Sequence, residues 1–62
     1  MTTSDRIRMG CLISRISQKE LAEKTGYHPG SVRDAISKNK FSFKMLVKIE
    51  EILGEDLGSK EL

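Results

Sequence analysis

A chain of 62 residues buries only roughly 60% of its unfolded surface, so the expectation is one domain, residues 1–62, with one small core. Only Tyr27, Phe41 and Phe43 are aromatic, which makes that core aliphatic. No apolar run is long enough to span a bilayer, no secretory leader pattern is present, one cysteine forms no internal disulfide, and no His/Cys cluster offers zinc ligands. The expected protein is soluble and cytoplasmic, with no metal and no cofactor.

The net charge of +2 hides an asymmetry. Residues 1–49 carry ten Lys or Arg against four Asp or Glu, whereas residues 50–62 carry one Lys against five acids. A phosphate-facing surface would use the basic part.

The first predicted helix runs from about Ser4 to Ser14, with Ser4 as its cap and Asp5 in the first turn, where a carboxylate suits the helix dipole. Met9, Leu12, Ile13 and Ile16 recur at the spacing of one apolar face and are read as its core side. Arg6, Arg8 and Arg15 project elsewhere. Gly10 weakens this helix by about 1 kcal/mol relative to alanine. Cys11, beside Ile7 and off the main stripe, reads as a small hydrophobe because no histidine accompanies it.

The second helix opens at Ser17, which has capping-box spacing to Glu20. Leu21 and Ala22 face inward; Gln18, Lys19, Glu23 and Lys24 face outward. Gly26 ends the helix in a left-handed conformation that permits an abrupt turn, and Tyr27 covers the edge of the core. The third helix has His28 at its N-cap and Pro29 in its first turn, where the missing N–H costs nothing. Val32, Ala35 and Ile36 turn inward and leave Arg33, Asp34 and Ser37 exposed. The polar loop Lys38, Asn39 and Lys40 follows.

The fourth helix runs from its cap, Ser42, to Leu53 and is stopped by Gly54. Phe43, Leu46, Val47 and Leu53 lie along one side, with Met45, Ile49 and Ile52 along another. A helix apolar over so much of its surface implies burial plus a second contact. Met45, Ile49, Ile52 and Leu57 are therefore a candidate dimer surface, with core as the competing reading. Phe41, Phe43, Met45, Val47 and Ile49 also alternate as a strand would. The helix is preferred because the stretch is long, ends in glycine and has no hairpin turn in its middle. Leu57 docks on the core from a short turn, and residues 58–62 are expected to fray. The fold class is all-α, with four to five short helices.

Residues 18–37, QKELAEKTGYHPGSVRDAIS, thus form two short helices locked across a sharp corner, the second with a polar outer face. This is the pattern of a helix-turn-helix whose second helix lies in the DNA major groove. With Ser17 added, the stretch resembles the Cro and repressor-type (XRE-like) family of phage and bacterial regulators. Gln18, Ala22, Gly26 and Val32 stand where that family places its leading glutamine, its small residue, its turn glycine and its inward branched residue. The resemblance covers about residues 5–57. After Phe41, FSFKMLVKIEEILG resembles the fourth helix of the all-helical repressors, with the C-terminal β-hairpin of lambda-type Cro as the alternative. Two departures stand out: Glu50 falls where a small apolar residue is common, and the fifth helix, which helps make the dimer in many relatives, is almost absent.

The resemblance implies a sequence-specific DNA-binding transcription regulator, a phage or prophage repressor of the Cro type, acting at the nucleoid. It places Gln18 at a helix N-terminus beside a phosphate or the outermost base. It also places His28, Pro29 and Gly30 where relatives put groove-reading side chains, and of these only His28 hydrogen-bonds through its side chain. Arg33 is the leading base reader, because guanidinium pairs bidentately with guanine O6 and N7. Asp34 either accepts from a cytosine amino group or orients a neighbouring Arg or Lys; Ser31 and Ser37 complete the base-facing set. Phosphate contacts are expected from Ser17, Lys19, Lys38, Asn39, Lys40, Ser42 and Lys44, which position without reading sequence and make affinity fall with salt.

The expected partner is double-stranded DNA. One small interface specifies little, so a weak homodimer assembled on DNA is expected as well. A competing reading is a module that keeps this fold but binds a partner repressor, motivated by the poor groove readers Pro29, Gly30 and Asp34 and by the acidic C-terminal end. A third is an architectural, DNA-bending role. An enzyme is not expected, nor a small-molecule substrate: His28 has no nearby nucleophile, the carboxylates fall on exposed faces, and no glycine-rich phosphate loop exists.

Overall fold

The computed structural model describes residues 1–61. Four α-helices, α1 (Thr3–Ser14), α2 (Gln18–Thr25), α3 (Pro29–Lys38) and α4 (Phe43–Leu53), are followed by a 3-10 turn at Ser59–Glu61. No strand occurs among the described residues. The all-α expectation therefore holds and the hairpin alternative is not supported.

Local chemistry explains where each helix starts and stops. Thr2 and Asp5 form a capping box on α1, and Ser17 and Glu20 form one on α2. His28 caps α3, and Ser42 caps α4 by accepting from the Met45 N–H at 3.2 Å. Every α-helix ends on a left-handed residue: Arg15, Gly26, Asn39 and Gly54 in turn. That conformation costs about 1–2 kcal/mol for a residue carrying a Cβ, so Arg15 and Asn39, at φ 57° and 53°, are held there by their surroundings.

Ser4 is not the cap of α1. Thr2 takes that position, and Ser4 turns inward, only 3% exposed. Its hydroxyl donates to the Ile36 carbonyl at 2.5 Å, and its backbone N–H donates to Asn39 Oδ1 at 3.0 Å. A residue predicted to make a local contact instead ties the start of α1 to the end of α3.

The core side of α1 is also the opposite of the predicted one. Ile7, Gly10 and Cys11 are buried with Ser4, while Met9, Leu12 and Ile13 are 47%, 78% and 73% exposed. Of the expected stripe only Ile16 packs against the core, and it is half-buried. The physical reason is close approach. A Cβ on Gly10 would lie 2.8 Å from Leu53 Cδ1, so the small-residue face of α1 is the one that can sit against α4. Burial also pushes the Cys11 thiol pKa up, consistent with a packing role for that residue.

On α4, Met45 and Ile49 are 8% and 0% exposed, and Leu57 beyond it is 5% exposed. Ile52 is half-buried and packs against the same cluster. These four residues belong to the core and its margin, which overturns their reading as a dimer surface; α4 packs against α1 and α2. Phe43, expected on an apolar side, is 56% exposed.

The C-terminal segment is tied back to α4 as far as Ser59. The Glu50 carboxylate accepts from the Leu57 N–H at 2.6 Å, from the Ser59 N–H at 3.3 Å, and from the Ser59 hydroxyl. Ser59 is 4% exposed as a result. The Ser59 hydroxyl first, and the Leu57 N–H next, hold the Glu50 carboxyl below its ordinary value of 4.5. The departure at Glu50 thus has a structural cause: it anchors the tail that carries Leu57 into the core. Leu62 lies outside the described residues.

Candidate nucleic-acid interface

The corner between α2 and α3 is three residues long, Gly26, Tyr27 and His28. Gly26 has φ 85°, a conformation that favours glycine, and its N–H closes the end of α2 on the Ala22 carbonyl at 3.1 Å. The Thr25 hydroxyl, buried at 5%, donates to the same carbonyl at 2.7 Å and accepts from the Tyr27 N–H at 3.2 Å. Leu21, Ala22 and Val32 are all 0% exposed. A side chain larger than Ala22 would force the two helices apart.

With Val32 and Ile36 locked inside, the rotation of α3 about its axis is fixed. Ser31, Arg33, Asp34, Ser37 and Lys38 are exposed on it. At its head, His28 Nδ1 accepts from the Gly30 N–H at 3.0 Å. A neutral imidazole that accepts at Nδ1 carries its proton on Nε2, so the cap presents an outward donor and leaves no acceptor free. Gly30 supports this arrangement, since a Cβ there would stand 3.1 Å from Nδ1.

The remaining expected contact residues fall on the N-terminal ends of α2 and α4 and on the loop between α3 and α4. Gln18 is the first residue of α2 and is half-buried; Lys19 is exposed beside it. The Ser17 and Ser42 oxygens accept from the Glu20 and Met45 N–H groups, which leaves each hydroxyl proton free to donate to an anion. Lys40 and Lys44 are exposed. Lys38 Nζ lies 3.2 Å from Asp34 Oδ2 in an exposed i,i+4 pair. Such pairs contribute only about 0.3–0.5 kcal/mol, so a phosphate can displace the carboxylate. Of the two roles weighed for Asp34, orienting a neighbouring cation is the one this geometry displays.

Asn39 is more constrained than the sequence suggested. Its Oδ1 is committed to Ser4, so only its amide N–H groups remain for a phosphate.

Phe43 lay outside the expected contact set, yet it is exposed between Ser42 and Lys44, directly after the cap of α4. The available signal was its place one residue past the cap. Among the described residues no group of three His, Cys, Asp or Glu converges as metal ligands, and no helix is long and apolar enough to cross a membrane.

A family model described as helix-turn-helix matches residues 14–59, from the end of α1 into the 3-10 turn. No curated protein and no solved structure matches the chain.

Proposed function

The chain belongs to the helix-turn-helix family of DNA-binding transcription regulators, and we propose that it is a Cro-type repressor of a phage or prophage, reading operator half-sites in the major groove with α3. The observation that carries this reading is the polar outer face of α3, held in one rotation by Val32 and Ile36 and flanked by the capped N-termini of α2 and α4.

In this mechanism Arg33 pairs with guanine O6 and N7. His28 donates from Nε2 to a base or phosphate acceptor, Ser31 and Ser37 donate or accept along the same face, and Gln18 reaches the edge of the half-site. Asp34 sets the position of Lys38 until phosphate takes its place. Lys19, Lys38, Lys40 and Lys44, with the Ser17 and Ser42 hydroxyls and the Asn39 amide, hold the backbone, and the Phe43 ring lies against a deoxyribose. Two copies on two half-sites supply the specificity that one small interface lacks. A regulator of this kind works in the bacterial cytoplasm, at the nucleoid.

The test is selection from random-sequence duplexes at two salt concentrations, with Arg33→Ala beside the wild type. A repeated or palindromic motif that loses one base preference in Arg33→Ala supports the reading. No enrichment at either salt sinks it and favours a module that binds a partner repressor.

A further inference from the structure

We infer that Gly30, which has no side chain to read anything, is a positioning residue that makes His28 a donor-only base reader and so excludes cytosine at one position of the half-site. The inference rests on the DNA reading above and names what this end of α3 selects. Pro29 has no N–H, and the Ser31 and Val32 N–H groups both go to the His28 carbonyl, at 2.9 and 3.2 Å. The Gly30 N–H is thus the one first-turn donor of α3 left for a side chain, and it donates to His28 Nδ1 at 3.0 Å. An N–H entering Nδ1 needs a lone pair there, so the neutral ring keeps its proton on Nε2. His28 is exposed, and its Nε2 has no hydrogen-bond partner among the described residues.

The ring, and not the backbone, is what requires a glycine here. Gly30 is not among the left-handed glycines. A Cβ on it would stand 3.1 Å from His28 Nδ1 and 3.4 Å from Cε1; outside its chain neighbours and its own helix backbone, nothing else lies within 4 Å. An alanine would therefore displace the imidazole and weaken the hydrogen bond that fixes it. In the major groove guanine offers O6 and N7, adenine N7 and thymine O4 as acceptors, whereas the cytosine edge presents only its amino donor. A ring that can only donate pairs with the first three bases and sets donor against donor at cytosine. A freely turning histidine would offer Nδ1 to that amino group and lose the distinction.

The test combines imidazole NMR with motif selection. In the free protein, long-range proton–nitrogen correlations should show the neutral His28 ring protonated at Nε2, and Gly30→Ala should move it towards a mixture of both tautomers. Selection from random-sequence duplexes should deplete cytosine roughly tenfold at one position of the wild-type half-site. Gly30→Ala and His28→Asn should each relax that depletion and leave the base chosen by Arg33 unchanged. Adding Gly30→Ala to His28→Asn should change nothing further. The melting temperature of Gly30→Ala should move little, because the higher helix propensity of alanine offsets the weakened cap, so a folding defect does not mimic the result. A wild-type ring protonated at Nδ1 overturns the inference, as does a Gly30→Ala motif identical to that of the wild type or an effect of Gly30→Ala that persists without His28. Where the wild type selects a motif and only these variants disagree, the inference fails and the DNA reading stands; where the wild type selects none, both fail.

Discussion

Replacing Ser4 with alanine tests the tie between α1 and α3 most directly. The substitution removes a buried hydroxyl that donates to the Ile36 carbonyl at 2.5 Å and touches Asn39 Oδ1 at 3.1 Å. The Ile36 carbonyl is not orphaned, because the Asn39 N–H still reaches it at 3.3 Å. The loss should therefore be about 1 kcal/mol, not the roughly 3 kcal/mol of an unsatisfied buried group. In a domain this small each kcal/mol lowers the Tm by about 4–8 °C. Thermal and urea melts followed by circular dichroism would measure the change in wild type, Ser4→Ala, Asn39→Ala and the double variant. The structure requires the two sites to be coupled, with an interaction energy of at least about 0.5 kcal/mol, although they lie 35 residues apart. It also requires Thr2→Ala to cost about 1 kcal/mol, as loss of an N-cap does. A silent Thr2→Ala together with additive effects of Ser4 and Asn39 would refute the reasoning, because that is the pattern of a Ser4 that merely caps its own helix.

Other perturbations address the interface and the tail. Arg33→Ala should lower affinity for the selected operator by about 1–3 kcal/mol and relax preference at one base pair; an equal loss on every sequence would reassign Arg33 to the backbone. Lys38→Gln and Lys40→Gln should each reduce the slope of log affinity against log salt by about one while leaving the preferred sequence unchanged. Glu50 and Asp5 both have carboxyl values lowered by folding, Glu50 by the Ser59 and Leu57 hydrogen bonds and Asp5 by those to Thr2. Their stabilisation is complete above the ordinary carboxylate values, 4.5 for Glu50 and 3.8 for Asp5, and is lost as pH falls through the lower folded-state values. Melts should thus find Glu50→Gln less stable than wild type at neutral pH and converging with it in acid, and a gap independent of pH would refute the assignment. Arg15→Gly, which relieves a left-handed residue at φ 57°, should raise stability by about 0.5–1 kcal/mol in a urea titration; a loss would mean that the arginine side chain holds more than the strain costs.

Much of the architecture was legible without coordinates because it rests on interactions that reach only three or four residues. The Ser17–Glu20 box, the His28–Pro29 start, the Ser42 cap and the glycine stops at 26 and 54 are local hydrogen bonds and backbone preferences, and all stand as read. The inward set Leu21, Ala22, Val32 and Ile36 was equally readable, since α2 and α3 each have a single apolar face. Their corner lies within the family match, residues 14–59.

Periodicity runs out where a helix is apolar on two sides. For α1 it selected the larger stripe, Met9, Leu12 and Ile13, and for α4 it offered Met45 and Ile49 to a partner; in the fold the first stripe is exposed and the second is buried. Hydrophobicity alone does not choose between such faces. The choice is made by volume at the helix crossing, where Gly10 admits Leu53 and a larger residue would not. The role of Glu50 was hidden for a related reason: its hydrogen-bond partners lie seven and nine residues further along the chain, beyond the reach of any helical spacing. Composition and short-range spacing by themselves determined an all-α chain with a sharp corner between α2 and α3 and the caps of α2, α3 and α4. Only the packed tertiary structure decided which side of α1 meets the core, because that is a question of which surfaces fit together without a void or a clash.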